Sequence, residues 1–201
     1  WDFGCGALGD MGCHIMDPSY WALELGAPTA VSAASTEVYE ECAPNASVVT
    51  YEFPERGDWP AIDLKWYDGN IKPPRSVHMK AGQKLRNNGT LFIGEKGSLQ
   101  CSTYGGDPVI FPTDLMSDLP PKTIPRVEEG HHQNWVKAIK EGKRAVSDFR
   151  YAGPMTETVN LGNLAVRAQK RCEWDSENLK VTNADEANKY VAMEYRKGWS
   201  L

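Results

Sequence analysis

Asp10 and His14 are the residues whose types and spacing carry the clearest chemistry in this chain. Four positions apart on a helix, their side chains fall within about 40° of each other around its axis. A carboxylate beside an imidazole fixes its tautomer and raises its pKa, which prepares it for proton transfer near neutral pH. Asp17 and Trp21 continue the same stripe, and Trp21 suits the cover of one side of a polyol. A plainer reading stands beside this one. Such an Asp–His pair is commonly a surface hydrogen bond, and Asp17 before Pro18 has the type of an N-cap.

Other candidates are weaker. His131 and His132 open a helix just after a loop, where binding residues concentrate, although a helix-start His is more often a solvated group. Tyr20, Trp66 and Arg75 are of types that line binding sites, with Trp66 fitting an apolar strand face better, as core. Lys80-Ala-Gly-Gln-Lys84 with Arg86 reads as a solvated basic loop. Gly4-Cys-Gly6-Ala-Leu-Gly9 matches G-x-G-x-x-G literally. A dinucleotide fingerprint needs a strand before the glycines and an acid about 20 residues later at the end of a second strand. Only Trp1-Asp2-Phe3 precedes Gly4, so these glycines are read as a tight turn into the helix. Asn45-Ala-Ser and Asn88-Gly-Thr match glycosylation sequons, a pattern common by chance.

The elements that must position these residues are legible in the periodicities. Leu8, Met11, Ile15, Ala22 and Leu25 keep helical spacing, and Pro18 kinks or restarts that run. Period-two alternation marks strands over Val49–Phe53 and Ile62–Tyr67, and another is expected near Thr29–Tyr39. Leu91 and Ile93, then Leu99 and Cys101, flank Gly94-Glu-Lys-Gly97, a plausible hairpin turn. Residues 69–88 and 107–125 read as loops, the second with five Pro. Trp135, Val136 and Ile139 share a helix face stopped by Gly142. Pro154 is read as opening a run through Ala168, in which Gly162 implies close packing on the sheet. Glu186 to about Arg196 is read as a last, amphipathic helix. Helix, antiparallel strands, then helices describe an α+β domain with helices on one face of a sheet.

Composition bounds the reading. The 201 residues carry a formal net charge of −5, 41% hydrophobic and 24% charged residues, the profile of an ordinary globular protein. Mild acidity argues against nucleic-acid binding, which needs a basic patch. No apolar run approaches the roughly 20 residues that span a bilayer. Five widely spaced Cys without a C-x-x-C pair argue against a disulfide framework or a Cys-based zinc site. A chain opening on Trp1, without initiator Met or leader, is expected to be a piece of a longer protein with a native C-terminus. Its compartment is not read from the sequence.

Trp1-Asp-Phe-Gly-Cys-Gly-Ala-Leu-Gly-Asp10-Met-Gly-Cys-His14-Ile-Met-Asp17 resembles the D-x-x-x-H helix of the glucose–fructose oxidoreductase/inositol dehydrogenase (Gfo/Idh/MocA) family. The resemblance continues through Tyr51-Glu-Phe-Pro54, Lys65-Trp-Tyr-Asp-Gly69 and Leu91-Phe-Ile-Gly-Glu-Lys-Gly97. It closes on Tyr151-Ala-Gly-Pro-Met-Thr-Glu157, Leu161-Gly-Asn-Leu-Ala-Val-Arg167 and Tyr195-Arg-Lys-Gly-Trp199. It implies that residues 1–201 are one C-terminal domain for substrate binding and oligomerisation, two-layered, with a large open, mainly antiparallel sheet covered by helices on one face. The family's N-terminal Rossmann domain, its nucleotide fingerprint and its E-K-P lysine have no counterpart here.

The resemblance further implies a parent NAD(P)-dependent oxidoreductase of a sugar or polyol hydroxyl, passing hydride to nicotinamide and a proton to His14. Asp10 would be the partner of His14, and Asp17, Tyr20 and His131 would contact substrate. NAD or NADP would belong to the parent, with no cofactor, metal, nucleic acid or membrane expected for this chain, and a homodimer or homotetramer through the sheet face. Two readings compete: a lyase or hydrolase of the same scaffold with retained NAD, and a non-catalytic carbohydrate-binding or assembly domain.

Overall fold

The computed structural model describes residues 1–117, 119–193 and 195–199. Its first elements are α1 (Gly6–Ile15) and α2 (Asp17–Ala22), separated by Met16 alone. Pro18 thus restarts the helix, and Met16, not Asp17, stands at the N-cap position of α2. Gly4 and Gly6 have φ of 139° and 68°, the left-handed backbone expected of a tight turn into α1.

Strands β1 (Ala30–Ser35), β2 (Ser47–Phe53) and β3 (Ile62–Tyr67) pair antiparallel in sequence order. Later come β4 (Thr90–Ile93), β5 (Ser98–Cys101), β6 (Val109–Phe111), α3 (His131–Glu141), α4 (Phe149–Ala168), β7 (Cys172–Asp175) and β8 (Lys180–Val181). The five-stranded sheet runs β3-β2-β1-β7-β8, and β4-β5-β6 form a second, three-stranded sheet. The fold is α+β with antiparallel sheets, as its sequence indicates, although the strands divide between two sheets. The hairpin at Gly94–Gly97 closes through Gly94 N–H donating to Gly97 O at 2.9 Å.

Alternation in β2 is strict. Ser47, Val49, Tyr51 and Phe53 are buried, and Val48, Thr50 and Glu52 lie on the other face. Across the register Val49 faces Trp66, Tyr51 faces Leu64 and Phe53 faces Ile62, so one apolar face is continuous across two strands. That face lies under α4, which also packs along α1. Gly162 makes the approach possible, because a Cβ there would collide with the Tyr51 hydroxyl and with Leu8. Close packing of Gly162 on the sheet is therefore observed. Of the aromatic side chains on β2 and β3, Tyr51, Phe53 and Trp66 are buried and Tyr67 lies on the other face of the sheet.

Three other expectations are corrected. α4 starts at Phe149 with Asp148 as N-cap, its side chain accepting from Arg150 N–H at 2.7 Å, so Pro154 lies inside the helix. The break Pro154 would cause is limited to one missing N–H near the helix start. Asp185–Tyr190 is a single 3-10 segment in place of a long last helix. There Asn188 turns its side chain to the Val181 backbone at 2.8 and 2.9 Å, a local bond that competes with continued helix. The Pro-rich stretch holds β6. All five cysteines are free thiols. Among the described residues no helix is long and apolar enough to cross a membrane.

Candidate active site

α1 buries Leu8 and Gly12 and turns Asp10 and His14 outward, both exposed. The two share a face, as four-residue spacing requires, but among the described residues no hydrogen bond joins carboxylate to imidazole. His14 instead meets Tyr104 edge to face, ring centroids 5.4 Å apart at 77°. This contact follows from how the second sheet docks. Thr90 Oγ1, at the start of β4, donates to the Ile15 carbonyl at 2.6 Å. The turn after β5 comes against α2, where a Cβ on Gly105 would lie 3.2 Å from Pro18 Cγ. Both contacts clamp the small sheet over the α1–α2 junction and carry Tyr104 to His14.

One turn further on, Asp17 has a different task. Its Oδ1 accepts a hydrogen bond from the Tyr151 hydroxyl at the start of α4. Burial, and then the Asp17 bond and charge, hold that hydroxyl well above the usual tyrosine value. Tyr20 is buried, donates to Gly26 O at 2.7 Å and packs edge to face on Tyr151 at 6.0 Å. Burial raises its hydroxyl pKa too. Asp17, Tyr20 and Tyr151 therefore form one packed cluster where α2 meets α4, just after His14 along the chain. Tyr20 sits in the core, with its hydroxyl already committed.

His131 begins α3 in the open, its ring edge to face with His132 at 5.5 Å. The contacts that gather Asp10, His14, Asp17 and Tyr104 do not include it. Trp66 is core, and its Nε1 donates to Asp68 Oδ2 at 2.7 Å. Arg75 donates to the Met79 carbonyl at 3.4 Å and also to that of Lys80, ordering its own loop. Tyr104 and Tyr151 are the residues that sequence reasoning missed. Tyr104 lies in a Tyr-Gly-Gly turn with no periodicity around it, and only that glycine pair following a strand signals a side chain held at a turn.

Among the described residues no strand stands before the Gly4–Gly9 glycines, and Gly9 already lies inside α1. Nor do the described residues bring three His, Cys, Asp or Glu side chains together to hold a metal ion. What the arrangement offers is an exposed imidazole and carboxylate on one helix face, an aromatic ring against the imidazole, and the hydrogen-bonded Asp17–Tyr151 pair on the next helix.

Comparison with solved structures gives similarities at low identity. An oxidoreductase from Agrobacterium radiobacter, in complex with NAD+, L-tartaric acid and magnesium, is 12% identical. It is matched over 82% of this chain and 48% of its own, with a TM-score of 0.43. An NAD-binding protein from Listeria innocua is 13% identical over 82% of this chain and 46% of its own, TM-score 0.48. The Bacillus subtilis protein yvaA is 16% identical over 83% and 51%, TM-score 0.41. This chain thus spans about half the length of these structures. No curated protein matches it. A family model described as "Oxidoreductase family, C-terminal alpha/beta domain", of the Gfo/Idh/MocA group, matches residues 1–201, and the chain belongs to that family.

Proposed function

We infer that this chain is the substrate-side domain of an NAD(P)-dependent oxidoreductase acting on a hydroxyl of a sugar or polyol. The observation that carries the reading is His14, exposed on the outer face of α1 with Asp10 beside it and Tyr104 against its ring. Oxidising an alcohol requires a base for the hydroxyl proton, and an imidazole is suited to that task. His14 takes the proton, with Asp10 on the same helix face one turn before it. Asp17 holds Tyr151, and Tyr20 packs on that same ring, so both act as positioning residues on α2. His131 is proposed as a more distant substrate contact. The nicotinamide dinucleotide accepts the hydride in such enzymes, and its binding groups belong to the part of the parent protein that precedes this domain.

The full-length protein tests the reading. Incubated with NAD or NADP and a panel of sugars and polyols, it should generate the absorbance of reduced nicotinamide with at least one of them. A product formed with no net reduction would favour transient oxidation, as in a lyase or hydrolase. Binding of a sugar without turnover would favour a non-catalytic domain.

A further inference from the structure

Asn88 and Gly89 form the one Asn-Gly pair in the sequence, and they enter β4 beneath the site. Asn88 is exposed in a bend, and among the described residues its side chain makes no hydrogen bond. Its neighbour Asn87, by contrast, accepts from Lys72 Nζ at 2.8 Å. Gly89 is fixed as glycine by its surroundings: its φ is 134°, and a Cβ would collide with the Cys101 carbonyl oxygen across the strand pair. The backbone nitrogen after Asn88 therefore has no side chain to shield it.

We propose that Asn88 is a site of spontaneous backbone rearrangement to aspartate and isoaspartate. The Gly89 nitrogen loses its proton to solvent base and bonds to Cγ of Asn88. The Cγ–Nδ2 bond breaks, and ammonia leaves after taking a proton from water. Water then opens the cyclic imide at either carbonyl, so no oxidant or reductant is needed. Opening at one carbonyl gives Asp. Opening at the other routes the main chain through the side chain, adding one carbon to the backbone and leaving a free carboxylate.

Asp68-Gly69 is the built-in contrast, since aspartate before glycine forms the same imide. The Asp68 carboxylate is held by Ser47 N–H, by Ser47 Oγ at 2.9 Å and by Trp66 Nε1 at 2.7 Å. It cannot swing onto the following nitrogen without breaking those bonds. Asn88 has none to break. The consequence reaches the site, because the next residue is Thr90, whose bond to the Ile15 carbonyl clamps the small sheet beside His14. A lengthened backbone at residue 88 displaces that clamp and the Tyr104 contact it supports.

The test ages the folded chain at mildly alkaline pH and reads tryptic peptides 87–96 and 66–75 by mass spectrometry. Isoaspartate is labelled by an isoaspartyl methyltransferase. Peptide 87–96 should gain the mass of exchanging NH2 for OH and take the label, keeping a several-fold larger fraction of its rate in urea than 66–75 keeps of its own. In urea both peptides should take the label, and Asn88→Gln should abolish the change in 87–96. The proposal is overturned if 87–96 stays unmodified in the folded chain while reacting in urea. It is equally overturned if folding slows 66–75 no more than it slows 87–96, each relative to its own rate in urea. The wild-type comparison between folded chain and urea stands even if the variant folds poorly.

Discussion

His14 and Asp17 stand one helical turn apart, yet their neighbours assign them different work. His14 faces outward against a single ring, whereas Asp17 is bound to Tyr151 across two helices. The tyrosines behind it give a pH dependence whose sign follows from their environment. Burial raises the hydroxyl pKa of Tyr20, Tyr51 and Tyr151. The unfolded chain therefore releases these protons more readily than the folded one. Their contribution to stability is complete below about pH 10, the ordinary tyrosine value, and is lost as pH rises through the raised folded values. Of the eight tyrosines, these three should ionise only together with loss of far-UV circular dichroism. Ionisation of all eight with the dichroism intact would contradict the assignment. The placement of Asp10 and His14 on one face was legible from their spacing. The partners of His14 and Asp17 were not, since Tyr104 and Tyr151 reach them from sequence positions 90 and 134 residues away.

At the scale of elements, the junction of α4, α1 and β2 turns on Gly162 and Tyr51. The Tyr51 hydroxyl is buried and, among the described residues, has no hydrogen-bond partner, an arrangement that costs about 1–3 kcal/mol where a polar group is left unpaired. Tyr51→Phe should therefore leave the melting temperature unchanged or raise it. Gly162→Ala should lower it, by an amount equivalent to about 1–3 kcal/mol of overpacking. Combined with Tyr51→Phe, the Gly162→Ala loss should shrink, since one of the two colliding groups is gone, while Leu8 remains. Equal losses in both backgrounds would contradict this packing. The glycine within a helical run pointed to this contact, and the alternation of β2 and β3 gave the strands. What escaped the pattern was short or irregular: β6 within a Pro-rich stretch, β7 and β8 of four and two residues, and a final segment diverted into a 3-10 turn. Elements of that length carry too few periods to be read before their tertiary partners are known.

For the whole molecule, the five-stranded sheet has a second face, turned away from Tyr51, Phe53 and Trp66. By register it carries Ser32, Ala34, Val48, Thr50 and Tyr67 together with the ion-paired Lys65 and Asp63, and at one end Arg171 bound to Glu52 at 2.8 Å and to Glu173 at 2.9 Å. Small side chains interspersed with charges of both signs suit face-to-face contact with a second copy, and a symmetric dimer is the simplest closed arrangement. Light scattering at high micromolar concentration should show a dimer or tetramer, and Tyr67→Asp should shift it towards monomer. Monomer alone at that concentration would contradict self-association through the sheet. The central claim, that this domain presents His14 to a hydroxyl being oxidised, is tested most directly by turnover of full-length His14→Ala beside its melting temperature. Loss of the proton acceptor should lower turnover by about 10²–10⁴-fold with the melting temperature changed little, because His14 is exposed and its packing is the edge-to-face contact with Tyr104. Near-normal turnover per folded molecule would contradict the account.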